Sequence, residues 1–271
     1  MLMISDSNIQ IDGLKIRIRT AGKGRRAIVF IHGNSCSADY WIDQLIDADL
    51  RNNFKLIAMD LPGHGSSEKL IDYSLGHISN ILLLAIDSLL LGGYILAGLS
   101  YGTALIAEVA PKLLNCKGFF LASPNVTSDD YPPSSYIIPF PELLTMIAGA
   151  VEEDELRKFA AHLTNDPSSL LVEKFISSYK ETDPRFRIDL GTAMQHAAWS
   201  DEFSNLIKTG LPVMYIFGES DLALNIYYMD SIKLPANHSL VFLKDAAHFI
   251  NIDQSEKING LLIEFSKNAF H

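Results

Sequence analysis

Short, continuous apolar runs recur along the chain, separated by longer stretches with helical periodicity. Continuous rather than alternating apolarity is typical of strands that are covered on both faces. The pattern therefore predicts six buried strands, over residues 27–31, 56–59, 94–99, 118–122, 213–217 and 240–243. Two alternating segments that precede them flank Asp12-Gly13, a pair that favours a tight turn, and predict an antiparallel hairpin over residues 8–20.

Helical signals lie between the predicted strands. Amphipathic periodicity and candidate caps predict helices over residues 37–49, 75–91, 101–114 and 250–268. Strands that alternate with helices form parallel sheets with right-handed crossovers. The sequence therefore predicts an α/β fold, with a mostly parallel central sheet and helices on both of its faces.

The alternation of strands and helices stops between residues 123 and 210. This segment opens with several prolines and contains helix-like stretches but no clear strand. The last two predicted strands follow it and complete the earlier sheet. We therefore expect a core formed by residues 1–122 and 211–271, with residues 123–210 inserted as a helical cap.

A serine lies between two glycines where a predicted strand meets a predicted helix, in Gly98-Leu99-Ser100-Tyr101-Gly102. A serine on so sharp a turn projects its hydroxyl from the edge of the sheet, and the glycines avoid clashes that side chains would cause there. In this strand-turn-helix context, the pattern predicts that Ser100 is a nucleophile.

A serine nucleophile needs a base to take its proton and an acid to orient that base. On this type of fold the order along the chain is serine, acid, histidine, and two late loops fit it. His248 follows the last predicted strand, whereas Asp221 and Glu219 follow the one before it. Asp221 is favoured over Glu219 because it lies three residues beyond Gly218, far enough for the loop to turn back towards His248.

Two backbone N–H groups are candidates for an oxyanion hole, the pair of donors that stabilises the negative charge of a tetrahedral intermediate. Ile31-His32-Gly33-Asn34 follows a buried strand, and the N–H of Asn34 is one candidate. The N–H of Tyr101, the residue after the nucleophile, is the other.

The order of these motifs resembles the α/β-hydrolase superfamily, and the resemblance covers the chain outside the cap. Within it, the loops that begin at His32 and at Asp60, with the cap residues 182–187, are similar to metal-independent N-acyl-homoserine lactonases. The resemblance implies the α/β-hydrolase fold and lactone-ring opening by Ser100, His248 and Asp221. Two positions depart from that group: Tyr101 replaces an aliphatic residue, and the acid is Asp where the group can use Glu.

Composition and charge limit the partners, location and cofactors that we expect for this protein. Net charge −10, with basic residues that do not cluster, opposes binding to nucleic acid or to an anionic membrane. Two cysteines, no visible signal sequence and no apolar run of about 20 residues predict a cytoplasmic protein. We expect a monomer or a homodimer. No metal-ligand spacing is present, and this chemistry needs no cofactor.

The expected substrate is a small neutral or apolar ester or lactone. Cap residues are the candidates for its binding site, namely Tyr136, Phe140, Met146, Tyr179 and Trp199. A general carboxylesterase, a thioesterase, a carbon–carbon bond hydrolase and a cofactor-free perhydrolase share the same triad and remain alternatives. A ligand receptor that keeps the hydrolase fold is the non-enzymatic alternative.

Overall fold

Eight strands form one sheet in the computed structural model, which describes residues 4–230 and 232–271. The strands are β1 (Ser5–Ile11), β2 (Leu14–Ala21), β3 (Ala27–Ile31), β4 (Lys55–Met59), β5 (Tyr94–Leu99), β6 (Cys116–Ala122), β7 (Val213–Gly218) and β8 (His238–Leu243). Their order across the sheet is β1-β2-β4-β3-β5-β6-β7-β8. All six predicted buried strands are present.

The sheet is antiparallel at one edge and parallel elsewhere. β1 pairs with β2 through a tight hairpin in which Ile11 lies opposite Leu14, and β2 pairs antiparallel with β4. From β4 to β8 every pairing is parallel. The carboxyl ends of β3 to β8 therefore lie along one edge, where open α/β sheets gather their functional groups.

Helices cover both faces of the sheet, as predicted. They are α1 (Ile42–Ile46), α2 (Ala48–Asn53), α3 (Leu75–Ser88), α4 (Tyr101–Val109), α5 (Pro133–Tyr136), α6 (Glu153–His162), α7 (Leu170–Glu181), α8 (Pro184–Gln195), α9 (Glu202–Lys208), α10 (Ile250–Asp253) and α11 (Ser255–Ala269), with 3-10 helices over Ala38–Trp41, Ala110–Lys112 and Leu143–Ile147. None of the helices in the described residues combines the length and apolar character of a membrane span.

Successive residues of each buried strand belong to two different hydrophobic clusters, because side chains alternate across a sheet. On β3, Val29 belongs to the cluster that includes residues of α3 and α4, whereas Phe30 belongs to the cluster that includes residues of α1, α2 and α11. Both strand residues are completely buried. The continuous apolar runs in the sequence thus reflect a sheet with two covered faces.

All four predicted helices are shorter or interrupted, and α3 ends at Ser88 rather than at residue 91. The predicted helix over residues 37–49 is divided, because the side chain of Asp47 accepts the N–H of Leu50 and caps a new helix there. α4 ends at Val109, before a 3-10 turn that contains Pro111, which has no N–H to donate. The last predicted helix is interrupted at Gln254, between α10 and α11.

Residues 123–212 lie between β6 and β7 and contain α5 to α9. An isolated antiparallel bridge joins Ile137 to Leu224 beyond β7, and α9 packs against α4 beside the sheet. The division of the chain into a core and a cap over residues 123–210 stays a prediction.

Asp60 ties the loop after β4 to two other segments. It is completely buried, and its carboxylate accepts the N–H of Ala38 at 2.7 Å and the N–H of Ser66 at 2.9 Å. The guanidinium of Arg17, on β2, lies 3.2 Å from the same carboxylate. Because these donors meet at one buried carboxylate, Asp60 holds the loop after β4 against β2 and against the segment that contains Ala38.

We predict that Asp60→Ala lowers the free energy of unfolding by about 3 kcal/mol, because two N–H groups and a guanidinium lose a buried partner. Urea denaturation measures this change. Asp87→Ala, which removes an exposed carboxylate near the end of α3, is the matched control and should change the free energy by less than about 0.5 kcal/mol. Equal stability of the two variants would contradict the role of Asp60.

Candidate active site

Ser100 lies on a strained turn between β5 and α4. Its backbone has φ +51° and ψ −121°, in the left-handed region that residues with a side chain rarely adopt. The N–H of Ser100 donates to Ala122 O at 2.9 Å, and Ser100 O accepts the N–H and the hydroxyl of Thr103. These bonds hold the strained backbone and direct the hydroxyl away from the sheet.

The glycines around Ser100 allow very close packing. A Cβ at Gly102 would lie 2.5 Å from Ile31 O on β3, and one at Gly98 would lie 2.8 Å from the Ile106 side chain. At Gly102 the obstacle is backbone, so this glycine lets α4 begin directly against the end of β3, while Gly98 lets β5 pack closely against α4. The predicted strand-turn-helix context of Ser100 is present.

His248 and Asp221 meet beside Ser100. His248 Nε2 lies 2.8 Å from Ser100 Oγ, and His248 Nδ1 lies 2.8 Å from Asp221 Oδ2. The other oxygen of Asp221 accepts the N–H groups of Ala223 and Leu224 at 2.9 and 3.2 Å. These two donors orient the carboxylate towards the imidazole.

Glycine at position 218 brings the two late loops together. A Cβ there would lie 2.4 Å from Ala246 O and 2.5 Å from Ala247 O, so the loop after β8 passes directly over the end of β7. Asp221 faces His248 across this contact, whereas Glu219 is exposed. The geometry thus pairs His248 with the acid that the loop length favoured.

The loop after β3 lies against the nucleophile. A Cβ on Gly33 would be 3.2 Å from Ser100 Cβ, which places the next residue, Asn34, at the side of the hydroxyl. In the described part of the chain, neither the N–H of Asn34 nor that of Tyr101 has a hydrogen-bond acceptor. Two free donors beside Ser100 are what an oxyanion hole requires.

Two buried histidines support this loop without facing the serine. His32 Nε2 accepts the N–H of Leu61 at 2.9 Å, and His64 Nε2 accepts the N–H of Ser35 at 3.3 Å. Burial lowers the pKa of both imidazoles, because the charged form is poorly solvated there. As neutral rings they accept backbone donors and fix the loop that carries Asn34.

The same loop is bonded to the helical insertion. The side chain of Asn34 donates to Met146 O at 2.8 Å. Arg187, buried on α8, donates to Ser35 Oγ at 3.2 Å and to Ala148 O at 2.8 Å, and its guanidinium lies 3.6 Å from the centre of the Tyr179 ring. These contacts leave the backbone N–H of Asn34 free.

Ser100 and His248 open into a cavity of about 140 Å³ with mainly apolar walls. Asn34 and Tyr101 also line it, as do all five residues that the sequence singled out as candidates for substrate binding, Tyr136, Phe140, Met146, Tyr179 and Trp199. The hydroxyl of Tyr179 is already engaged, since it donates towards Thr145 O and Ala148 O. Asp221 lies behind His248, outside the cavity lining.

Three polar residues of this region were not predicted from the sequence. Asn125 Nδ2 lies 3.5 Å from Ser100 Oγ. Asp253 accepts the N–H of Ala247 at 2.8 Å; burial raises the pKa of its carboxyl, and the nearby charge of Asp221 acts in the same direction. Glu202 lines the cavity and is only 2% exposed. Both acids lie in the first turn of a helix, where acidic residues are common, so no pattern in the sequence distinguishes them.

No three His, Cys, Asp or Glu side chains of residues 4–230 and 232–271 come together as a metal ion would require.

Comparison with known proteins identifies the family. The model of the alpha/beta hydrolase family matches residues 28–261. The chain belongs to this family. It is 23% identical over 252 residues to the uncharacterized hydrolase YugF of Bacillus subtilis, covering 90% of this chain and 91% of that protein. A second relative is the dihydrolipoyllysine-residue acetyltransferase component of the acetoin cleaving system of Cupriavidus necator, which is 31% identical over 104 residues. The match covers 37% of this chain but only 26% of that protein.

Several solved structures share the fold of this chain. A mutant of the N-acyl homoserine lactonase AidH, complexed with N-hexanoyl homoserine lactone, superposes with a TM-score of 0.88 at 18% identity over 98% of each chain. A putative aryl esterase from Burkholderia cenocepacia gives 0.82 at 20% identity over 98% of this chain and 99% of that one. The resemblance inferred from the motifs is confirmed, and so is the fold class.

We predict that Gly102→Ala lowers the free energy of unfolding by about 2 kcal/mol, since the added methyl group meets the backbone of β3. Gly76→Ala is a matched control: both glycines are the second residue of a helix, but a Cβ at Gly76 meets nothing within 4 Å. That control should stabilise the protein by about 0.5 kcal/mol through helix propensity. Thermal and urea unfolding measure both; a stabilising Gly102→Ala would contradict the close approach of α4 to β3.

Proposed function

We propose that the protein is a serine hydrolase that cleaves neutral carboxylic esters or lactones. The observation that carries this proposal is the row of hydrogen bonds from Asp221 through His248 to Ser100, in which each donor–acceptor distance is 2.8 Å. It ends beside two free N–H donors, at the wall of an apolar cavity. Membership of the alpha/beta hydrolase family supports hydrolysis, and the chain supplies the groups that acyl transfer requires.

Acylation begins when Ser100 Oγ attacks the carbonyl carbon of the substrate and His248 Nε2 takes the hydroxyl proton. The carboxylate of Asp221 stabilises the imidazolium that forms and holds its Nδ1–H. The carbonyl oxygen becomes an oxyanion, which the N–H groups of Asn34 and Tyr101 bind. His248 then gives the proton to the leaving alkoxide, and an acyl-enzyme remains on Ser100.

Deacylation follows the same path with water as the nucleophile. His248 takes a proton from water, the hydroxide attacks the acyl carbon, and the proton returns to Ser100 Oγ as the acid leaves. With a lactone, the alkoxide and the acyl group belong to one molecule, so the product is a hydroxy acid.

We propose that residues 123–210 act as the cap that selects the substrate. Tyr136, Phe140, Met146, Tyr179 and Trp199 from this segment line the cavity. Mainly apolar walls favour an acyl chain, and the negative charge of the protein disfavours an anionic substrate. The motif resemblance and the fold likeness to a lactonase bound to N-hexanoyl homoserine lactone favour N-acyl homoserine lactones as the first class to test.

Hydrolysis of p-nitrophenyl butyrate tests the proposed triad. Asp221→Asn should lower kcat by about 10⁴-fold, because an amide neither stabilises the imidazolium nor fixes its tautomer. Glu219→Gln, in the same loop but exposed, should stay within about twofold of the native enzyme. The pair matches in chemistry, since each variant exchanges a carboxylate for an amide.

Ser100→Ala is the reference for complete loss in this assay. Turnover by Ser100→Ala that equals the native rate would contradict the proposed function. A large loss in Glu219→Gln with little change in Asp221→Asn would instead move the acid to Glu219 and leave the serine mechanism in place.

A further inference from the structure

Glu202 is an acidic side chain in the apolar cavity that the proposed mechanism does not use. It is the first residue of α9 and is 2% exposed, and it lines the same cavity as Ser100 and His248. Its Oε2 accepts the N–H of Thr127 at 2.7 Å. In the described residues no lysine, arginine or histidine forms an ion pair with it.

The surroundings of Glu202 oppose its negative charge. Burial is the main cause, and the nearby carboxylates of Glu108 and Asp201 act in the same direction, so the pKa of Glu202 is raised to about 8 although Thr127 donates to it. The other titratable groups that face it are phenols rather than cations: Tyr101 on α4, Tyr136 on α5 and Tyr228. At pH 7 the side chain is therefore mainly a neutral carboxylic acid.

A neutral carboxylic acid offers one acceptor and one donor. Because Oε2 accepts the Thr127 N–H, this hydrogen bond favours the proton on Oε1, the other oxygen of this cavity-lining side chain. Carboxylic acids kept neutral in apolar sites donate strong hydrogen bonds to carbonyl oxygens.

We propose that Glu202 is a specificity-determining residue that donates a hydrogen bond to a second, uncharged carbonyl group of the substrate, one that is not cleaved. This inference rests on the proposed function, in which Ser100 attacks the first carbonyl. The acyl amide of an N-acyl homoserine lactone is a carbonyl of this kind, whereas a simple alkyl lactone has none. Glu202 thus favours lactones and esters that carry a second carbonyl group over those whose substituents are purely alkyl.

Two lactones that differ only in the amide group of the side chain test the proposal. N-hexanoyl homoserine lactone carries the amide, and α-heptyl-γ-butyrolactone replaces its N–H and C=O with methylene groups at equal chain length. The measured quantity is the ratio of kcat/KM for the amide-bearing lactone to that for the alkyl lactone, at pH 7. Glu202→Met, which has no donor, should lower this ratio about tenfold, mainly through KM.

Two further variants serve as controls. Glu264→Met, on the exposed side of α11, should leave the ratio unchanged. Glu202→Gln keeps an acceptor for Thr127 and an N–H donor at the cavity but cannot ionise. It should keep the ratio within about threefold at pH 7.

The pH dependence separates donation from packing. Above pH 8 the native Glu202 loses its proton, so its KM for the amide-bearing lactone should rise, whereas the KM of Glu202→Gln should not rise in step. Rates are corrected for spontaneous ring opening at each pH. The same rise in both proteins would overturn the proposal.

The remaining outcomes distinguish this inference from the proposed function. Native turnover of both lactones, with a ratio that Glu202→Met leaves within twofold, would overturn the role of Glu202 alone. Should Glu202→Met fail to fold, as thermal unfolding would reveal, the pH profiles of the native enzyme and Glu202→Gln decide the question. No native turnover of either lactone or of p-nitrophenyl butyrate would overturn the proposed function, and this inference with it.

Discussion

The hydrogen bond between Asp221 Oδ2 and His248 Nδ1 joins two loops that follow different strands, and the arrangement at the edge of the sheet depends on it. Both side chains are almost completely buried, so the bond forms away from competing water. It requires the loop after β8 to cross over Gly218, where no side chain fits. Ser123 fixes the other side of that loop, since its hydroxyl donates to His248 O at 2.7 Å.

The loop that carries one of the N–H groups proposed for the oxyanion hole is fixed in a comparable way. Neutral, buried His32 and His64 accept N–H groups from neighbouring loops, while Arg187 reaches Ser35 from the helical insertion. The loop after β3 is thereby held from both sides, with the N–H of Asn34 left unpaired. Donors that are oriented before the substrate arrives need no reorganisation during the reaction, which is the source of their catalytic value.

Much of the core was predictable from the sequence, because burial on both faces leaves a simple signal. Continuous apolar runs gave all six parallel strands, and the glycines around Ser100 marked a turn that the structure shows to be tightly packed. Helix ends were less predictable. The interruption at Asp47 depends on a side-chain cap that competes with continuation of the helix, and periodicity does not show which of the two prevails.

The polar residues of the cavity outside the proposed triad were not predictable, for a physical reason. Glu202 begins α9 directly after the capping residue Asp201, so it looks like an ordinary acid in a first helical turn. Its environment arises from burial beside residues that are distant along the chain, among them Thr127, which donates to it, and Glu108. Local pattern carries no information about such contacts, and the same holds for Asp253 beside Asp221.

In the proposed mechanism His248 activates Ser100 for attack on a carbonyl carbon or on a phosphorus centre that mimics it. The most direct test of this activation is labelling with a fluorophosphonate, followed by tandem mass spectrometry of the digested protein. The account predicts a single adduct, on Ser100, which forms far more slowly in His248→Gln. An adduct on another residue, or labelling of Ser100 at the native rate in His248→Gln, would contradict it.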